Sequence, residues 1–353
     1  MSTAATMRKA DRRDGWLFLA PYLVVFTVFV LAPIAFGVWI SFHEYDYTLE
    51  RRPWVGLENY TGLLDGSSPY AASFWTAMRG TAIFAAASVP LLLVLPLAVA
   101  MLMNLRLRGR TVFRAVFFAP YVLGVAVVAL LWRYLLDTNI GLVNHYLDAV
   151  GLGGTTPWLT QLPWAWISLV GVTVWWTLGF NAVIYLAALQ DISPELYEAA
   201  KVDGAGAWQR FRNVTLPGLR PVLVFVTSVT IIASVNMFGQ SYLMTQGGPG
   251  TQTRTAIYQI ADTGLTNFNA GTASAMSMIF TVFLAVVSVV VFWLFRERDT
   301  ARRSATAAGA QEPDDAASPQ VGEVLDLPDG GAAAARTLDV RDDAVARQDR
   351  SPR

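Results

Sequence analysis

The 353-residue sequence contains no cysteine, which excludes disulfides, thiolate chemistry and cysteine-bound metal. Charge is scarce as well: 15% of residues are charged against 54% hydrophobic, and the formal net charge is zero. So little charge at this length, with a positive mean hydropathy, is the composition of a membrane protein. Zero net charge offers no bulk attraction to nucleic acid. Lysine is nearly absent, with Lys9 and Lys201 alone among the basic residues and arginine elsewhere. The two histidines, His43 and His145, stand far apart in sequence and suggest no metal site. No phosphate-binding Gly-Lys-Ser/Thr sequence is present, so any ATP used by this protein is hydrolysed on another chain. There is no internal repeat.

What is present is a series of long apolar runs. Six are expected to span a membrane: about residues 16–42, 80–104, 115–136, 163–190, 221–245 and 270–295. The first is too long for a signal-peptide core and is read as a span. The fold class expected is all-α, a polytopic membrane protein with six transmembrane helices. Residues 1–15 form a polar, basic lead. From Arg296 to Arg353 the composition turns to Ala, Asp, Arg, Gly and Pro. Such a tail has too little apolar surface to fold alone and is expected to be disordered.

Six spans place both termini on one side. That side carries Arg8, Lys9, Arg12 and Arg13; Arg106, Arg108, Arg110 and Arg114; Lys201, Arg210, Arg212 and Arg220; and Arg296, Arg298, Arg302 and Arg303. The opposite side carries Arg51, Arg52, Arg79, Arg133 and Arg254. The imbalance makes the termini cytoplasmic, in a plasma membrane crossed several times.

The fourth and fifth spans are separated by a charged interruption, residues 193–217. Ser193 suits a helix N-cap, Pro194 the first helical position and Glu195 the positive end of the dipole. A short helix is expected from Pro194 to about Val202. Asp203-Gly204 supplies a turn, and a second helix follows from Ala205 to about Asn213. Spacing alone predicts a compact helix–turn–helix with small residues that let another surface approach, and is equally consistent with an amphipathic loop on the bilayer.

Glu198-Ala199-Ala200, Asp203-Gly204-Ala205, Phe211 and Leu216-Pro217 resemble the EAA motif of importer-type ABC permeases. Gly56-Leu57, Asn59-Tyr60 and Thr245 with Gly247-Gly248-Pro249 resemble further segments common in the sugar permeases of that class. The resemblance covers about residues 15–298. It implies one of two permease subunits in a carbohydrate-uptake ABC transporter, of the class that includes maltose-type and glycerol-3-phosphate-type systems. It implies as partners a second homologous permease, two ATPase subunits that bind ATP and Mg, and an extracytoplasmic solute-binding protein. It gives the hairpin the role of coupling helix, with Glu198, Ala199, Ala200, Asp203, Gly204, Ala205, Phe211 and Pro217 facing an ATPase. No cofactor or metal is expected on this chain itself.

The spans hold almost no ionisable residue, which argues against a proton-coupled carrier, and no catalytic cluster, which argues against an intramembrane hydrolase. Neutral polar and aromatic groups remain. Asn181 and Tyr185 are four apart in the fourth span, and Asn236 and Gln240 four apart in the fifth, so each pair is expected on one helix face. Tyr242, Trp176, Trp175 and Tyr121 add rings. Amides and rings suit sugar hydroxyls and pyranose faces, and they equally suit contacts between helices. One position departs from the family pattern: Gly239 follows Phe238 where many members carry Asp. The other functional class is a self-contained channel or facilitator for small polar solutes, which would conduct without ATP.

Overall fold

The computed structural model describes residues 18–105 and 109–309, with backbone only for Arg110 and residues 294–309. The chain divides into two units, Met1–Ala301 and Arg302–Arg353; the elements that matter for function lie in the first. Residues 1–17, the arginines of the basic turn at 106 and 108, and the tail beyond Gly309 lie outside the described residues.

Helix α1, Phe18–Ser41, is strongly apolar, with a mean hydropathy of 2.6 over its best window. Pro21 sits in its first turn, where a missing N–H costs nothing, and a π turn at Thr27–Leu31 precedes Pro33. Only 6% of that window is buried. A helix so apolar and so exposed belongs in lipid or against another chain. Helix α2, Glu58–Asp65, is short and ends on Gly66 in the left-handed region. Helix α3 runs Ala71–Asn104, 34 residues, or about 51 Å at the α-helical rise. It therefore starts earlier than the apolar run predicts. Its first turns carry Arg79 and stand beyond the hydrocarbon thickness of about 30 Å.

The third apolar run is not one helix. Helix α4, Arg110–Val122, and helix α5, Val125–Leu135, meet at 96° across Leu123-Gly124. Helix α6, Leu142–Ala149, lies in the following loop. Helix α7, Trp164–Asp191, is the central element, with 44% of its apolar window buried. Two apolar clusters share it. Leu169, Val172 and Val174 pack with Phe84 and Val128, while Ala182, Tyr185 and Leu186 pack with Ala100, Leu219 and Val226. A Cβ on Gly179 would run into the backbone of Phe117 and Phe118, so glycine is what lets α4 approach α7.

Helix α8, Pro194–Val202, and helix α9, Ala207–Gly218, form the predicted hairpin. Helix α10, Arg220–Val235, leaves α9 at 69° through the fully buried Leu219. The fifth apolar run is thus interrupted after Val235, and helical turns resume at Gly239 and reach Thr245. Asn236 caps α10, and its Nδ2 donates to the Ile232 carbonyl at 2.8 Å, satisfying a terminal acceptor as short polar side chains do. A π turn, Ser241–Thr245, follows. Helix α11, Ala256–Ala261, leads into another π turn at Asp262–Thr266. Helix α12, Ala270–Gly309, continues fourteen residues past the apolar run, through Arg- and Ala-rich sequence with high helix propensity. The four long helices satisfy the length and apolarity of a span, and six spans result if each bent pair counts as one. The chain is all-helical in architecture among the described residues.

The Asn59-Tyr60 segment works as a clasp. Asn59 Nδ2 donates to the carbonyls of Ser41 and His43 at 2.9 and 3.0 Å, and its Oδ1 accepts from Thr272 Oγ1 at 3.2 Å. Tyr60 shares a 2.6 Å hydrogen bond with Ser41 Oγ. One amide thus joins the end of α1 to the start of α12. Asn59→Ala leaves two carbonyls without a donor and is expected to cost about 1–3 kcal/mol. The expected result is a lower unfolding temperature of the detergent-solubilised protein, with Tyr60→Phe producing a smaller drop.

Candidate functional site

The two helix breaks face each other. Trp176 on α7 donates from Nε1 to the Leu123 carbonyl at 3.0 Å, so the α4–α5 break is held by an indole. Val125, just past that break, meets Gly239, just past the end of α10. A Cβ on Gly239 would stand 2.7 Å from Val125 Cγ2. Between these breaks, α3 and α7 lies a cavity of about 550 Å³.

Four of the six predicted pathway residues line it: Trp176, Asn181, Asn236 and Gln240. Tyr121, Thr173, Thr230 and Ser234 line it too. No lining residue is acidic, basic or a histidine. Tyr121 stacks on Phe180 at 4.4 Å and tilts towards Trp176 at 6.2 Å, making a wall of rings. Gln240 Nε2 donates to Thr173 Oγ1 at 3.3 Å, and Asn181 Nδ2 to the Leu92 carbonyl at 3.4 Å. Each amide thus holds neighbouring elements through one N–H. Neither carbonyl oxygen has a protein partner among the described residues.

Asn236 and Gln240 do not share a helix face as the spacing predicts, because α10 ends at Val235, with Asn236 as its cap. They reach the same cavity on either side of the irregular backbone of residues 236–238. Two predicted residues are not in its lining. Tyr185 is wholly buried in the cluster with Leu186 and Leu219, on the continuation of α7 beyond Asn181. Tyr242 is half exposed, stacked on Phe238 at 5.2 Å and edge-on to Tyr258 at 5.1 Å. Trp175 points away from the cavity, edge-on to Trp132 at 5.3 Å. Sequence reasoning omitted Thr173, Thr230 and Ser234, whose small hydroxyls are hard to tell from ordinary helix residues. Ser234 is tied to Ser88 on α3 at 3.2 Å.

The Gly247-Gly248-Pro249 loop is a stiff closure beside the π turn. Gln246, Gly247 and Gly250 all have positive φ. Thr253 Oγ1 donates to the Gly248 carbonyl at 2.6 Å, and Ser241 Oγ donates to the Thr253 carbonyl at 2.6 Å. Arg254 pairs with Asp262 at 2.9 Å and lies over the Tyr258 ring at 4.8 Å. Burial pushes the Tyr258 hydroxyl above its ordinary pKa, with Arg254 partly opposing the shift.

The hairpin carries its own termination signals. Ser193 Oγ accepts from the Glu195 N–H at 3.3 Å. Ala205 N donates to the Ala200 carbonyl at 2.8 Å and Gly204 N to the Lys201 carbonyl at 3.0 Å. Gly204 has φ +76°. This is the Schellman arrangement, and glycine is what permits its left-handed residue. Glu198, Ala199, Asp203 and Gly204 are exposed, whereas Ala200, Ala205, Phe211 and Pro217 are half-buried. Phe211 stacks with the exposed Trp208 at 5.5 Å. Among the described residues no cluster of metal-ligating side chains occurs.

A family model described as "Binding-protein-dependent transport system inner membrane component" matches residues 83–299. The trehalose/maltose transport system permease protein MalF of Thermococcus litoralis is 34% identical over 288 residues, covering 82% of this chain and 95% of the relative. The lactose transport system permease protein LacF of Rhizobium radiobacter is 33% identical over 306 residues, covering 84% and 99%. Among solved structures, a chain of a bacterial alginate ABC transporter, in complex with an alginate pentasaccharide-bound periplasmic protein, superposes with TM-score 0.67 at 26% identity. It covers 81% of this chain and 94% of that one.

The contact between the two breaks generates a test. Gly239→Ala overpacks Val125 and is expected to cost about 1–3 kcal/mol. Val125→Ala combined with Gly239→Ala should recover most of that loss. Unfolding temperatures of the two single variants and the double variant measure the coupling; strictly additive losses would mean the breaks do not bear on each other.

Proposed function

This chain belongs to the family of binding-protein-dependent transport system inner membrane components, and from that premise we propose that it is one permease subunit of an ATP-driven carbohydrate importer. The observation that carries the reading is the cavity at the facing helix breaks: amides, small hydroxyls and a ring wall, with no charged lining residue. Sugar hydroxyls exchange hydrogen bonds with amides, and pyranose faces lie on rings. The relatives named for maltose and lactose systems support carbohydrate as the cargo. The absence of charge in the lining favours uncharged glycans over uronates or sugar phosphates, since a carboxylate or phosphate moved into that cavity meets no compensating cation. The channel reading is weaker, because the matched relatives are named as permeases of transport systems.

In this reading the chain pairs with a second permease, and each permease docks on an ATPase subunit. A solute-binding protein delivers sugar from outside, as in the alginate transporter that carries a periplasmic protein. The arginine distribution supports a cytoplasmic hairpin with both termini on the same side of the inner membrane. Glu198, Ala199, Asp203 and Gly204 present the exposed surface to the ATPase. Closure of the ATPases on ATP pushes the hairpin, and α10 carries that displacement to its far end at the cavity. This chain performs no chemistry; ATP and Mg are held by the ATPases.

A Cβ added to Gly204 would meet nothing within 4 Å, so a substitution there disturbs the backbone and not the packing. Gly204→Pro forces φ to about −65° where +76° is needed. Uptake of labelled sugar is expected to vanish while the complex stays assembled and basal ATP turnover no longer responds to sugar-loaded binding protein. Normal uptake in this variant would remove the coupling role. In competition assays on the unmodified transporter, neutral di- and oligosaccharides should displace the substrate, and uronates of equal length should not.

A further inference from the structure

A second pocket, of about 250 Å³, lies between the hairpin and the ends of α3 and α7. Asn104, the last residue of α3, forms one wall, and Tyr197, Arg210 and Phe211 form the others. The Tyr197 hydroxyl is already occupied by Thr215 Oγ1 at 3.0 Å. Arg210 is not occupied. Its half-buried guanidinium has no hydrogen bond or ion pair to any described residue, and its Nε is shut off from solvent without a partner. A guanidinium fork left unfilled in a concave site beside an aromatic ring suits an oxyanion, above all a phosphate.

The position of the pocket indicates the source. Asn104 ends one span and Leu189 lies two residues before the end of another, so the pocket sits at the ends of two apolar helices. Arg106, Arg108 and Arg110 follow Asn104 at once in sequence. Basic pockets at the cytoplasmic ends of spans attract anionic headgroups. We propose that this pocket binds a phosphate group, and that the phosphodiester of an anionic inner-leaflet lipid supplies it. A bound headgroup bridges the end of α3 to α9 and holds the hairpin against the spans. ATP turnover of the assembled transporter then depends on anionic lipid. The inference rests on the membrane placement proposed above and not on the cargo, so failure of sugar uptake and failure of the lipid response are separate results.

The test uses the whole transporter, this chain with its partners, in nanodiscs of phosphatidylcholine with and without phosphatidylglycerol. Native mass spectrometry should show phosphatidylglycerol retained by the unmodified complex and by Arg210→Lys, and several-fold less by Arg210→Gln. Turnover should rise several-fold with phosphatidylglycerol in the first two and stay flat in the third. Inorganic phosphate that restores turnover in phosphatidylcholine alone would assign the site to free phosphate and overturn the lipid assignment. Equal lipid retention and stimulation in Arg210→Gln would overturn the site. So would loss of ATPase subunits from Arg210→Gln in both lipid compositions, which would make Arg210 a contact to a partner chain. If Arg210→Gln does not reach the membrane, Asn104→Leu on the opposite wall is read by the same two measurements, with the same outcomes deciding.

Discussion

Inside a bilayer a backbone amide has no water to turn to, so a spanning segment keeps its helix or finds a protein partner for every group it releases. This chain breaks two apolar runs, at Leu123-Gly124 and after Val235. At the first break the Leu123 carbonyl takes the Trp176 indole N–H; at the second the Ile232 carbonyl keeps the Asn236 backbone N–H and also takes its side-chain amide. Irregular backbone at membrane depth is tolerated where protein buries it or where it lines a cavity, and both breaks border the same one. The cavity is therefore a consequence of where the helices stop. Its polar groups arrive with the residues that make stopping possible.

The hairpin stands at the opposite end of α10 from the cavity. That helix has 16 residues, about 24 Å of rigid element. Its near end is packed by the buried Leu219 and by Gly218, where an added Cβ would stand 2.9 Å from Ile192 Cδ1. Its far end carries Thr230, Ser234 and Asn236 into the cavity lining. Between the hairpin and the cavity lie one bend and one unbroken helix. The bend, at Leu219, is 69°. In the importer proposed above, we infer that this helix links ATP turnover on a partner chain to access to the site.

Much of this was legible because its causes are local. The hairpin follows from Ser193, Pro194 and Gly204, and caps are decided within a few residues of sequence. The long helices follow from hydropathy. The breaks were not legible, because the runs around Leu123 and Asn236 stay apolar and nothing in their composition marks an interruption. Pro120, inside α4 and three residues before the first break, was the available signal. The second break rests on Asn236 bonding back to Ile232 and on a tertiary contact, Gly239 with Val125, that no local pattern encodes. For the same reason Tyr185 and Asn181 share a helix and not a fate. Four residues along α7, the neighbours change from the cavity to the Leu186 and Leu219 cluster.

Gly239 shows how packing and chemistry meet at one position. Its departure from the family pattern reads in sequence as a missing carboxylate. In the structure it is also a missing side chain, because Val125 occupies the space an aspartate would need. The two facts share a cause. A carboxylate there would crowd the α5 break and would place a charge against a lining that has no cation to pair with it. Close contact between the breaks and an uncharged cavity are therefore both served by a residue as small and neutral as glycine. The same glycine that lets the two interrupted helices meet leaves a cavity lined by amides, hydroxyls and rings.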